Sequence, residues 1–379
     1  MTNRVLDGEA PALTSATAPS PSGTPREHAP FVKACRGEPT PFTPIWLNRQ
    51  AGRYMPEYHA VKGKTPSLEF FRTPELAARV TVDAQRILGV DAAIVFADLL
   101  PILEPMGLAL DYVPGVGPVF ANPVRELAAI DRLRVPSASE ELGYIAETIS
   151  GVLDGLPPDV PLIGFAGAPF TLASYAIEGA GSRNFRHTKK LMYEHETPWN
   201  LLLSKLTRAV IDYVRLQIEA GVQAVQIFDS WVGALSQHDY RRYVAPHVQE
   251  LMQGIRRAEV ASDGTEGRVH FPPIIYFGVN TAHLVADMHA TGADLLALDW
   301  RTPLGETWQR LDSPAIQGNL DPIVLCANTE AIATSAGHVL EEAGGRPGHI
   351  FNLGHGIVPE TPVDNVKFLV DFVHEATAQ

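Results

Sequence analysis

Arg49 and Arg53, four residues apart in the run WLNRQAGRYMPEY at 46–58, stand beside a glycine just after a short apolar, strand-like segment. A guanidinium is planar, permanently charged and able to grip a carboxylate or phosphate through two parallel hydrogen bonds. Two of them at a strand end therefore read as a clamp for a ligand with several anionic groups. The competing reading is a solvated surface pair, and spacing alone leaves both open. Other chemically capable residues also follow short apolar runs: Asp98, the Gly-Ala-Pro turn at 167–169, Asp229 with Ser230, Gly278 with Asn280, Asp299, Asn319 with Asp321, and His355. Each has a structural alternative. Asp98 fits a helix N-cap, His355 between two glycines fits a buried structural hydrogen bond, and Tyr175 fits core packing with its hydroxyl satisfied.

The elements that must position these groups alternate between short apolar runs and helical periodicity, the pattern of a parallel α/β fold. Candidate strands lie at 43–47, 91–96, 161–165, 224–228, 273–277, 295–299, 314–318 and 349–353. Between them, Leu76, Val80, Ala84, Ile87 and Leu88 form one apolar helical stripe, and Leu206, Val210, Tyr213, Val214 and Ile218 form another that ends at Gly221. The last helix opens with Thr361, Pro362 and Asp364 and turns Val366, Leu369, Val370 and Val373 inward. Eight such strands predict a (β/α)8 TIM barrel, whose site lies at the carboxyl ends of its strands, where the residues named above fall. Only a very short helix, PLGETWQRL, fits between the sixth and seventh strands, so a doubly wound sheet is the alternative fold.

Composition narrows the function. The chain has 379 residues, 45% hydrophobic and 19% charged, with a formal charge of -13. That balance disfavours nucleic-acid and membrane-surface binding, so an anionic ligand must be held by a local cationic patch. No apolar run approaches the roughly 20 residues that span a bilayer. Cys35 and Cys326 cannot supply a disulfide framework and fit a reducing cytoplasm. Residues 8–30 are rich in Pro, Ser, Thr and Ala, so 1–30 read as a disordered tail before one domain at 31–379, and the polar stretch 259–270 reads as an exposed loop. There is no phosphate-binding GxxxxGK[ST] run, the GAGSRN run at 179–184 lacks the third glycine of a dinucleotide fingerprint, and HETPW at 195–199 lacks the second histidine of a zinc helix. Ser230 lies outside any GxSxG elbow.

QAGRYMPEY at 50–58, FADLL at 96–100, GFAGAPFTLASYAIEG at 164–179, FDSWVGALS at 228–236, LDW at 298–300, QGNLDP at 317–322 and FNLGHG at 351–356 together resemble the uroporphyrinogen decarboxylase family from about residue 31 onward. The resemblance implies a homodimer of (β/α)8 barrels that removes the four acetate carboxyl groups of uroporphyrinogen III to give coproporphyrinogen III, with no cofactor and no metal. Asp98 matches the aspartate that accepts hydrogen bonds from pyrrole N–H groups. Arg49 and Arg53 match carboxylate-binding arginines, and Tyr175, Ser230 and His355 match substrate contacts. Arg49 is also the better placed to help deliver a proton, although so high a pKa makes guanidinium a poor general acid and favours binding and orientation. One departure stands out, because Asn48 replaces the methionine usual before the first arginine. Two rival functions remain open, a zinc-dependent methyltransferase on the same barrel, which would need thiolate and histidine ligands, and a non-catalytic tetrapyrrole-binding protein.

Overall fold

The computed structural model describes residues 24–257 and 271–379. The loop expected at 259–270 and the tail up to residue 23 lie outside the described residues. Residues 24–30, assigned to the tail from composition, belong to the fold: Pro25–His28 form a 3-10 helix and Pro30–Cys35 a short α-helix. Arg26 fastens this start to the body by donating to the Val160 carbonyl at 3.0 Å and the Leu153 carbonyl at 2.8 Å.

Among the described residues nine strands follow in chain order: β1 Ala93–Ile94, β2 Leu110–Val113, β3 Gly117–Phe120, β4 Leu162–Gly167, β5 Ala224–Asp229, β6 Ile274–Gly278, β7 Leu295–Ala297, β8 Ile316–Gln317 and β9 His349–Ile350. Seven pair in parallel in the order β1-β4-β5-β6-β7-β8-β9. Neighbours in the sheet are successive in sequence once the β2–β3 hairpin is set aside. A doubly wound sheet reverses its strand order at a switch point, and this one does not.

The eighth predicted strand, at 43–47, contributes a bridge instead of a full ladder. Phe351 donates to the Pro44 carbonyl at 2.8 Å on one side, and Asp91 donates to the Ile45 carbonyl at 2.9 Å on the other. This segment thus bonds to both edges of the sheet and takes the eighth place in the ring. Its ladder stays short for local reasons. Pro44 has no N–H to give, Trp46 bonds back to the Phe351 carbonyl at 3.3 Å, and the other amides turn to side chains, Ile45 to Asp91 Oδ2 at 2.7 Å, Leu47 to Gln50 Oε1 at 3.1 Å and Asn48 to Asn352 Oδ1 at 3.0 Å.

The strands are apolar on both faces because helices cover them outside and side chains fill the ring inside, as parallel sheets require. Every residue of β4 and β6 is buried. Helix Pro74–Leu88 stops at Gly89, which takes a left-handed φ of 69°, and helix Val363–Thr377 buries Val366, Leu369, Val370 and Val373 as its periodicity predicts. The short element expected between the sixth and seventh strands is helix Leu304–Leu311, anchored by Leu304 and Trp308.

Inside the ring a chain of buried amides replaces part of the usual aliphatic filling. Trp46 Nε1 donates to Gln317 Oε1 at 2.9 Å, Gln317 Nε2 to Gln226 Oε1 at 2.9 Å, and Gln226 Nε2 to Asn48 Oδ1 at 3.1 Å. Asn48 completes it by donating to the Leu353 carbonyl at 3.2 Å. The asparagine that departs from the family pattern is therefore the upper end of a satisfied polar chain, directly below Arg49. No helix among the described residues is long and apolar enough to cross a membrane.

Candidate active site

A cleft of about 900 Å³ opens at the carboxyl ends of the strands, a volume suited to a large organic ligand. Arg49, Arg53, Asp98, Tyr175, Ser230 and His355 all line it. These six come from five separate stretches of chain, and the fold brings them together.

The turn that carries the arginines is built around Gln50, 1% exposed, which donates through Nε2 to the Ala92 carbonyl at 3.1 Å and receives the Leu47 N–H. With Gln50 driven inward, Arg49 and Arg53 on either side of it point out to the cleft. Arg49 pays for its place with a left-handed backbone, φ 62°, a conformation that a bulky residue holds only where its surroundings enforce it. The His355 loop passes so close that a Cβ on Gly356 would lie 2.4 Å from Arg49 Cδ, so the glycine seats the arginine side chain. Arg53 is fixed by His59 Nε2, which donates to its carbonyl at 2.8 Å. Among the described residues neither guanidinium has a carboxylate within ion-pair distance.

Asp98 follows β1, and its Oδ1 accepts the Leu100 N–H at 3.1 Å in the turn before the 3-10 helix Pro101–Leu103. The N-cap position of that helix is Leu100, without a side-chain cap, so Asp98 is not the helix N-cap and faces the cleft. Burial pushes its carboxyl above the ordinary range, opposed by the Leu100 amide, the Tyr112 hydroxyl and the charge of Arg49. Asp98 is the only carboxylate among the described lining residues. In a chain with a formal charge of -13, the described lining of this cleft thus carries two guanidiniums and one carboxylate.

Phe165, Phe228 and Phe277, from the neighbouring strands β4, β5 and β6, form an apolar wall, with successive ring centroids 5.7 Å apart in edge-to-face contact. Tyr175 stacks on Trp231 at 3.8 Å, and burial together with the nearby Asp98 charge pushes its hydroxyl up to about 12, so it is a donor at neutral pH. Its helix, Pro169–Glu178, begins with proline at the first position, after Ala168 has bonded to the Phe228 carbonyl at 2.8 Å. His355 accepts the Gly356 N–H on Nδ1 at 2.7 Å, which leaves the proton of the neutral ring on Nε2. Burial, then the positive charges of Arg49 and Arg301, hold its pKa below the ordinary histidine value.

Beneath Ser230, Asp229 is fully buried and accepts from Thr171 at 2.7 Å and Tyr276 at 2.8 Å, and burial pushes it up to about 6. It ties β5 to its neighbours and does not line the cleft. Sequence reasoning missed the phenyl wall, Gly356 as a seat, and the β2–β3 hairpin, which contributes Tyr112 through Pro118 to the rim. The hairpin had a signal in the run LDYVPGVGPVF, two short apolar arms around Pro-Gly and a second glycine.

No three metal-ligating side chains converge among the described residues, and neither cysteine lines the cleft. The donor set of a zinc–thiol methyltransferase is not assembled there.

The chain matches the family described as uroporphyrinogen decarboxylase (URO-D) over residues 26–376. It is 51% identical over 350 residues to a uroporphyrinogen decarboxylase of Koribacter versatilis, covering 92% of this chain and 96% of the relative. A Chloroflexus aurantiacus protein of the same name is 52% identical over 347 residues, covering 90% and 94%. Among solved structures, a methyltransferase from Methanosarcina mazei superposes with a TM-score of 0.76 at 21% identity, covering 93% of this chain and 99% of that one. At that identity the likeness concerns the fold, and reaction chemistry must be read from the site.

Proposed function

The chain belongs to the uroporphyrinogen decarboxylase family and is a carboxy-lyase acting on uroporphyrinogen in heme biosynthesis, and from this premise we propose how its cleft does the work. The reaction removes the four acetate carboxyl groups of uroporphyrinogen III and leaves coproporphyrinogen III. A decarboxylation needs a sink for the electron pair of the breaking C–C bond, and here the substrate is its own sink, so neither metal nor organic cofactor takes part. Protonation of the pyrrole carbon beside the acetate makes the ring cationic. The electrons of the breaking bond flow into that ring as carbon dioxide leaves. The exocyclic methylene then takes a proton to become methyl, and the ring proton is lost.

Asp98 accepts hydrogen bonds from the pyrrole N–H groups and offsets the transient positive charge, in surroundings whose low polarity strengthens the interaction. Arg49 and Arg53 hold peripheral carboxylates, and Arg49 also orients the reacting acetate. Tyr175, Ser230 and the Nε2–H of His355 donate to further substrate oxygens, while the phenyl wall covers the macrocycle. The single observation that carries this reading is the charge layout, one carboxylate among aromatic rings with two guanidiniums that have no carboxylate within ion-pair distance among the described residues. The same reading places the enzyme as a homodimer in a reducing cytoplasm, in keeping with two free cysteines, one buried and one exposed.

Anaerobic incubation of the purified protein with uroporphyrinogen III, followed by oxidation and chromatography, tests it. Stepwise appearance of species with seven, six, five and four carboxylates is expected. Tight binding with the octacarboxylate recovered unchanged would establish a tetrapyrrole-binding protein instead.

A further inference from the structure

Tyr112 stands on β2, in the part of the hairpin that walls the cleft. Its ring packs edge-on to Phe71 at 5.5 Å, and Phe71 lies 5.6 Å from Phe96, two residues before Asp98. The hydroxyl at the end of that ring is buried yet makes no hydrogen bond among the described residues. A buried hydroxyl without a partner destabilises a native structure, so such groups mark places where a partner arrives or a charge is managed.

The charge at hand is Asp98. It is faced by Arg49 from the turn after the first strand, by Tyr112 from the hairpin, and by the Leu99 and Leu100 amides of its own turn. Tyr175 from helix Pro169–Glu178 and Tyr213 from helix Glu196–Glu219 also feel its field. Of the three tyrosines, Tyr112 is the one whose hydroxyl favours the ionised carboxylate, and that hydroxyl makes no hydrogen bond of full geometry among the described residues. The tip of the hairpin that carries it, Pro114–Val116, is exposed, and a Cβ on Gly115 or Gly117 would meet nothing within 4 Å.

We propose that Tyr112 is a positioning residue for Asp98, its hydroxyl being the donor that holds the carboxylate aimed into the cleft. The role rests on the function proposed above. It is specific to the hydroxyl, because a phenylalanine would fill the same space against Phe71.

Tyr112→Phe is therefore the test, read in two ways. Without the donor the ionised carboxylate is less favoured, so the acid limb of the kcat/KM profile for uroporphyrinogen III should move to higher pH. On that limb activity should fall about threefold or more, and on the plateau, where the carboxylate is ionised but less well held, it should fall by a smaller factor. In parallel, the ¹³C titration of the Asp98 carboxyl, assigned by its loss in Asp98→Asn, should shift to higher pH in the variant. An unchanged titration overturns the proposal, even if the variant melts at a lower temperature, since that would show a merely structural hydroxyl. If the wild-type protein released no carbon dioxide at all, the functional reading would fail, and the carboxyl titration would still decide whether Tyr112 acts on Asp98.

Discussion

Asp98 sits in surroundings that resist its charge, since burial raises its pKa and only a few donors and Arg49 oppose that effect. The cost makes sense if the charge is needed when positive charge develops on the substrate. Asp98→Asn keeps the shape and one acceptor oxygen and loses the charge, so turnover should drop by about a hundredfold or more while substrate affinity changes far less. Single-turnover kinetics beside a binding titration will separate the two, and near-normal turnover in a folded variant would remove Asp98 from its role. The clamp has its own test. Arg49→Lys and Arg53→Lys keep charge and lose the planar fork, and Gly356→Ala displaces the Arg49 side chain without touching its charge; each should raise KM by roughly threefold to tenfold. Steady-state kinetics with KM unchanged in all three would show that the geometry of the arginines is not used. These residues were legible because RQAGRY, FADLL and GHG stand in order along the chain. Tyr112 was not legible, for a lone tyrosine in a short hairpin has no periodicity to announce which way it points.

The helices and most strands could be read from apolar spacing because burial itself imposes that spacing. Helix Val363–Thr377 buries the four residues its pattern names, and the Leu304–Leu311 helix appears where only a short one fits. Residues 24–30 escaped because their placement depends on one long-range device, Arg26 reaching carbonyls more than a hundred residues away, which composition cannot reveal. The same holds for the closure of the ring. Asp91 Oδ2 accepts the Ile45 N–H at 2.7 Å and meets His374 Nε2 at 2.8 Å, so one carboxylate joins the first segment, β1 and the last helix. Its hydrogen bond raises the pKa of His374 above the ordinary value of 6.5, against the opposing effect of burial. A histidine whose folded pKa is raised binds its proton more tightly in the native state. The stability it adds is therefore complete below the unfolded value and disappears as pH rises through the folded one. Urea midpoints of wild type and His374→Gln should thus differ most near pH 5.5 and converge by about pH 9. A difference that is flat over that range would mean that the pair contributes through packing alone.

At the scale of the whole molecule, the fold was legible because eight apolar runs, each followed by polar residues, leave few arrangements open. The sequential parallel order then rejects the doubly wound alternative. The charge of -13 requires that any anion site be local, and the described lining of the cleft holds Arg49 and Arg53 with a single carboxylate. The barrel does not choose the reaction, since a methyltransferase shares it at 21% identity, so the account stands on the claim that the substrate supplies the electron sink. The most direct measurement is anaerobic turnover of uroporphyrinogen III by protein exhaustively dialysed against a chelator, with products oxidised and resolved by carboxylate number. The account predicts the same stepwise loss of four carboxyl groups, at the same rate, before and after dialysis and with or without added zinc. Activity abolished by dialysis and restored by zinc would contradict it, because the electrons would then need a sink or a Lewis acid that the substrate does not provide.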